Sequence, residues 1–159
     1  MSGICGIFNR DGRPVLQSDL EAMTSAIIHR GPDGRGIWTD GPVGFSHCLL
    51  RTTPESMHES HPFRNQRDDL VITADARLDN REELAGLLGL DSHGLSLLGD
   101  SELILLAYEK WGEQCVTRLL GDFAFAIWDK RKQQLFCAVD FARSRPICYY
   151  NTREIFFFS

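Results

Sequence analysis

The chain has 159 residues, 43% of them apolar, and a net charge of -5. That is the size of one domain with apolar content for one sizeable core, and the acidic balance argues against a nucleic-acid or anionic-membrane partner, both of which want a basic face. No apolar run approaches a membrane span and the N-terminus lacks the basic region and cleavage site of a signal peptide, so a cytoplasmic location is expected.

In chain order, Gly3 to Phe8 reads as a buried strand that stops at the turn signal Asn9-Arg10-Asp11-Gly12. Ser18 and Glu21 form a capping-box pattern, and Leu20, Met23 and Ile27 make a helical stripe, which predicts a helix from about Asp19 to Ile28. His29 to Gly36, HRGPDGRG, demands a loop. Gly36–Thr39 and Val43–Leu50 read as a hairpin around Asp40-Gly41-Pro42. Asp69–Arg77 is a further strand, followed by a helix from about Arg81 to Leu88. Asp100-Ser-Glu opens another helix that closes at Gly112, and Glu113–Leu120 reads as a short fourth. Strands are then predicted over Phe123–Trp128, Leu135–Val139, Ile147–Tyr150 and from Ile155 to Phe158. Strands joined by tight turns, with helices to pack outside them, favour an α+β layered fold of antiparallel sheets. Three consecutive aromatics, Phe156 to Phe158, would leave an uncovered apolar edge, so the polypeptide is expected to continue past Ser159 and the 159-residue chain to associate through that edge.

Cys5, Cys48, Cys115, Cys137 and Cys148 are an odd number without a CxxC pair, which reads as packed, reduced thiols. His47, His58 and His61 are not at metal spacing on one element and read as scattered surface histidines. Asp122, Asp129 and Asp140 read as turn and strand-end residues. HRGPDG follows a helix and lacks a Lys-Ser/Thr ending, so it is not a phosphate-binding P-loop. No metal site and no cofactor is expected within this chain.

Several stretches together, MSGICGIFNRDG, HRGPDGRGIW, TADARLDNREEL, GDSELILLAYEKWGEQCVTRLLGDFAFAIWD and FARSRPICYY, resemble the N-terminal glutaminase domain of the asparagine synthetase family. These are class II glutamine amidotransferases of the N-terminal-nucleophile hydrolase fold. The resemblance implies an αββα sandwich of two antiparallel sheets and a nucleophile directly after the initiator Met. In that chemistry a Cys thiolate attacks the glutamine amide carbon, with its own α-amine as base. An Asn and backbone donors hold the oxyanion, an Arg pairs with the substrate carboxylate and an Asp takes its ammonium.

Carried over residue by residue, this chain departs from the pattern. Alignment without gaps puts Ser2 at the nucleophile position. Cys5 falls on a variable strand position, where a small buried residue accounts for it. The carboxylate-binding Arg of the His-x-Arg-Leu stretch becomes Leu49 within His47-Cys48-Leu49-Leu50. Arg51 lies two residues on, on the same strand face by period, and is the candidate substitute. The Asn-Gly-Glu of the oxyanion motif becomes Asp75-Ala76-Arg77, and a carboxylate offers acceptors where a donor is needed. Asp100 stands at the ammonium-binding position, where a plain helix N-cap would account for it as well. Losing one oxyanion donor alone costs about a hundred- to a thousand-fold in rate.

The resemblance thus implies a degenerate glutaminase-like domain. It would be a structural or docking module of an ATP-dependent amide ligase, with Ser2, Arg51, Asp75, Ala76 and Asp100 around one shallow pocket. Its partner would be a synthetase domain in the same or another chain. ATP and magnesium would be needed only there, because the synthetase's Ser-Gly-Gly-x-Asp-Ser pyrophosphate loop is absent from this chain. The MSGI start and LLRTTPES resemble the branch of lasso-peptide cyclases and β-lactam synthetases. Two alternatives stand beside it: an active glutaminase supplying ammonia for asparagine synthesis through Ser2 or Cys5, and a free-standing binding module. Glutamine is a doubtful ligand for the degenerate domain, and a homodimer is left open.

Overall fold

The computed structural model describes residues 1–52 and 55–159, with the side chains of Glu55 and His58 set aside. The part of the LLRTTPES stretch at 53–54 and the His58 side chain therefore lie outside the described residues.

A five-stranded sheet in the order β2-β3-β1-β9-β8 stacks on a four-stranded sheet in the order β4-β5-β6-β7. The first is built from β1 (Gly3–Asn9), β2 (Gly34–Asp40), β3 (Val43–Leu49), β8 (Tyr149–Asn151) and β9 (Ile155–Phe158). The second holds β4 (Phe63–Arg64), β5 (Leu70–Leu78), β6 (Gly121–Asp129) and β7 (Gln134–Val139). Every pairing is antiparallel. Helix α1 (Gln17–Ile27) covers the outside of the first sheet; α2 (Arg81–Leu88), α3 (Ser92–Leu97) and α4 (Asp100–Trp111) lie on the side of the second. This is the expected αββα sandwich.

Side-chain alternation explains the layers. On β5, Leu70, Ile72, Ala74 and Leu78 join Leu103, Ile104 and Ala107 of α4 in the outer core. Val71 turns the other way and meets Ile4, Phe45, Trp128 and Phe158 between the sheets. By the same parity Ser2 and Ile4 face the space between the sheets. Ile7, one register off, packs with Val15 and Leu20 under α1. Phe158 fits over Gly6, where a Cβ would stand 2.5 Å from its ring.

Several expectations are corrected. The first helix begins at Gln17 after Leu16, with no side-chain cap, so Ser18 is not its N-cap. The segment after α4 is a 3-10 helix, Gly112–Arg118, because Gly112 at φ 60 ends the α-helix and the short run that follows winds tighter. Helix α3 and strand β4 were not legible; each is short and has little periodicity to show. The aromatic strand is not an edge. β9 pairs with β1 on one side and β8 on the other, and Phe158 is fully buried. The edges of the five-stranded sheet are β2 and β8, and the three residues of β8 are all exposed. Among the described residues no helix is long and apolar enough to cross a membrane.

Candidate functional site

The N-terminal strand brings Ser2 to the space between the sheets, next to Asp75 of β5. The Ser2 N–H donates to Asp75 Oδ1 at 3.1 Å, and Ser2 Oγ accepts the Leu50 N–H at 3.0 Å. Leu49, Ala76 and Asp100 join Ser2 and Asp75 around one cavity, together with Leu50, Ser56, Glu59, Ala74 and Ser101. Its volume is about 20 Å³.

Asp75 is consumed locally. Arg145, carried by the β7–β8 loop, donates from its Nη1 to the same Oδ1 that holds the Ser2 N–H. Burial pushes the Asp75 carboxyl up, against the pull of Arg145, the Ser2 N–H, the chain's amino terminus and Arg30. The loop is shaped by Asp140, whose carboxylate accepts the backbone N–H groups of Ser144 at 3.1 Å and Arg145 at 3.4 Å. Asp140 thus belongs to the strand end, as expected, and aims Arg145 inward.

Asp100 is neither a helix cap nor free. Gly99 takes the N-cap position of α4, and its N–H donates to Glu102 Oε2 at 3.0 Å. The Asp100 carboxylate accepts the Leu78 N–H at 3.1 Å on one oxygen and Arg81 Nη1 on the other. Arg81 also donates to the carbonyls of Leu95 and Leu98. Burial raises the Asp100 carboxyl, opposed by the Leu78 N–H and Arg81. Asp100 therefore fastens α4 to the end of β5 and to α2.

Three candidates lie elsewhere. Arg51 is drawn to the turn after His29-Arg30: its N–H donates to Asp33 Oδ2 at 2.8 Å and its Nη1 to the Asp33 carbonyl at 3.1 Å. It lines a neighbouring cavity and not the Ser2 cavity, because the chain leaves β3 after Leu49 and strand parity no longer directs it. Arg77 is half-exposed at the surface, with Asp79 and Asp122 each 3.3 Å away. Cys5 points to the face opposite Ser2. It is fully buried, and burial pushes its thiol up to about 11.

The histidine expectation is also corrected. His47 is 1% exposed on the inner face of β3, and the His61 side chain is 2% exposed. Arg145, Glu59 and the two histidines were missed because no local pattern marks them; they come from separate loops and meet only in the folded chain. Among the described residues no group of His, Cys, Asp or Glu is arranged to hold a metal ion.

The sequence profile of the glutamine amidotransferase domain matches residues 1–159. The chain is 31% identical to asparagine synthetase [glutamine-hydrolyzing] 3 of Bacillus subtilis (strain 168), over 99% of this chain and 26% of that protein. It is 33% identical to the putative asparagine synthetase [glutamine-hydrolyzing] 2 of Methanocaldococcus jannaschii, over 100% of this chain and 34% of that protein. It thus spans between about a quarter and a third of the length of these relatives. Among solved structures, glutamine phosphoribosylpyrophosphate amidotransferase from B. subtilis superposes with a TM-score of 0.74 at 17% identity, covering 99% of this chain and 41% of that one. That likeness speaks for the fold. With the profile spanning every residue and the αββα sandwich in place, this chain belongs to the glutamine amidotransferase domain family.

Proposed function

We propose that this is a non-catalytic glutaminase-like domain of an asparagine-synthetase-like, ATP-dependent amide ligase, serving as a structural or docking module for a synthetase domain. The similarity to the Bacillus and Methanocaldococcus synthetases, each three to four times longer, supports the larger context. ATP and magnesium belong, in this reading, to the synthetase domain.

One observation carries the loss of catalysis. At the oxyanion position stands Asp75, which accepts from Ser2 and Arg145. An oxyanion forming there would face a carboxylate, and the donor worth about a hundred- to a thousand-fold in rate is missing. The rest of the site agrees. Leu49 offers no charge to a substrate carboxylate. The cavity of about 20 Å³ holds about one water and no glutamine. Asp100, the candidate ammonium partner, already has one oxygen on the Leu78 N–H and the other on Arg81.

The test is release of ammonia and glutamate from glutamine. The unaltered protein and Ser2→Cys are expected to release none above background, because Asp75 and Leu49 remain. Turnover in the unaltered protein that vanishes in Ser2→Ala would reverse the reading in favour of an active glutaminase.

A further inference from the structure

Beside the Ser2 cavity lies a second cavity of about 190 Å³, lined in part by His47, Arg51, Glu59 and His61. The His47 and His61 rings stack with centroids 4.1 Å apart and 12° between planes. Each ring has one nitrogen committed. His47 Nδ1 lies 3.2 Å from Thr73 Oγ1, and that hydroxyl donates its hydrogen to the Ser46 carbonyl. The hydroxyl therefore accepts from Nδ1–H, which leaves a lone pair on His47 Nε2. His61 Nε2 lies 3.4 Å from Glu59 Oε2 and 3.3 Å from Ser101 Oγ. Ser101 Oγ gives its hydrogen to Glu59 Oε1 at 2.9 Å, so the His61 hydrogen sits on Nε2 and the lone pair on Nδ1. His47 Nε2 and His61 Nδ1 are buried, and neither has a hydrogen-bond partner among the described residues.

We propose that this stacked pair is an acid-sensitive latch: it closes the wall between the two cavities while His47 is neutral and releases it when His47 takes a proton.

The wall is shared, since Leu49 and Glu59 line both cavities. The stack joins β3 of one sheet to the segment entering β4 of the other. Glu59 continues the connection to the start of α4 through Ser101. Glu59 faces the His61 ring, and His61 and Ser101 hold its carboxyl below the usual range despite burial. Among the described residues no carboxylate stands against His47. His47 faces a hydroxyl and the other imidazole, and burial, then the His61 charge, keep it well below its ordinary value. Glu102 and Asp100 lie behind Glu59 at the start of α4. Arg35 and Arg51 stand on the β2–β3 side, where a cation on His47 gains nothing. In the parted state His47 meets water and titrates near 6.5. Since closure lowers that value, opening gains up to about tenfold per pH unit below 6.5 and nothing above it. The latch is a matter of geometry and stands whether or not the Ser2 site turns over glutamine.

Ser2→Cys places a reporter thiol in the smaller cavity. Its modification by dithiodipyridine, which stays reactive in acid, is followed peptide by peptide and scaled to a free peptide thiol. The scaled rate is expected to rise by up to about tenfold per pH unit below 6.5, while buried Cys115 stays protected. Adding His47→Phe, which keeps a ring in the stack but takes no proton, should flatten the profile. Should that variant fail to fold, His61→Gln, which removes the charge opposing His47, should move the acid plateau to higher pH. A profile unchanged by the folded variant, or Cys115 labelling in parallel, overturns the latch.

Discussion

Asp75 is the side chain on which the proposed loss of catalysis turns. Its carboxylate joins the chain's second residue to Arg145, whose side chain is only 13% exposed. Breaking a buried ion pair from one side costs about 3–5 kcal/mol, mostly as the penalty of the charge left behind. Asp75→Asn keeps an acceptor for the Ser2 N–H. It also relieves the desolvated carboxylate, whose raised pKa means that stability is lost as pH rises through its folded value. The expected cost of Asp75→Asn at neutral pH is therefore smaller, about 2–3 kcal/mol by urea denaturation. Asp75→Asn with Arg145→Gln should recover much of it, because no charge is then stranded. Additive losses in the double variant would show that the two residues act separately.

At the scale of elements, the turn before β2 sets the position of the strand end that meets Ser2. A Cβ on Gly31 would stand 2.1 Å from the Cys48 carbonyl oxygen and 2.6 Å from the Leu49 nitrogen. Both are backbone atoms, so one segment must move. Asp33 N–H also donates to the Leu49 carbonyl at 3.0 Å. Gly31→Ala is expected to cost about 1–3 kcal/mol or more by overpacking. It should also speed amide exchange at Leu50, which donates to Ser2 Oγ. The same substitution at Gly86, inside α2 with nothing within 4 Å of the new Cβ, should instead stabilise by about 0.5–1 kcal/mol. Thermal melts of the two variants shifting in the same direction would contradict this account.

At the scale of the whole molecule, β8 is an edge strand whose three residues are all exposed. Among the described residues β8 is paired only with β9, and Tyr149 and Tyr150 are 68% and 54% exposed, stacked on Phe156 and Phe157. Cys148 and Ser159 exchange both their N–H···O bonds, so the alternation of an antiparallel ladder turns the N–H and C=O of Tyr149 and Asn151 away from β9. An unpaired aromatic edge of this kind promotes association. The 159-residue chain should therefore scatter light increasingly with concentration, and Tyr150→Lys should reduce that by placing a charge on the edge. Scattering equal in both proteins would move the contact elsewhere.

The strand alternation and the helical stripe of α4 placed most elements, because burial on one face writes a period into the chain. The resemblance carried by the MSGICGIFNRDG start, His47-Cys48-Leu49-Leu50, TADARLDNREEL and GDSELILL located Ser2, Leu49, Asp75, Ala76 and Asp100, and all of them line one cavity. Non-periodic segments gave no such signal. Arg145 and Glu59 ride on loops, and nothing local says that one ends on Asp75 and the other between Ser101 and His61. Arg51 shows the limit from the other side: strand parity predicts its face only while the strand lasts, and β3 ends two residues earlier. Periodic burial, a local property, was enough for antiparallel layers with helices outside them, while the αββα stacking and the residues brought to Ser2 were implied by the resemblance to the family. The tertiary structure alone decided which charges meet there, because Asp75 and Arg145 are 70 residues apart and become partners only when the two sheets close.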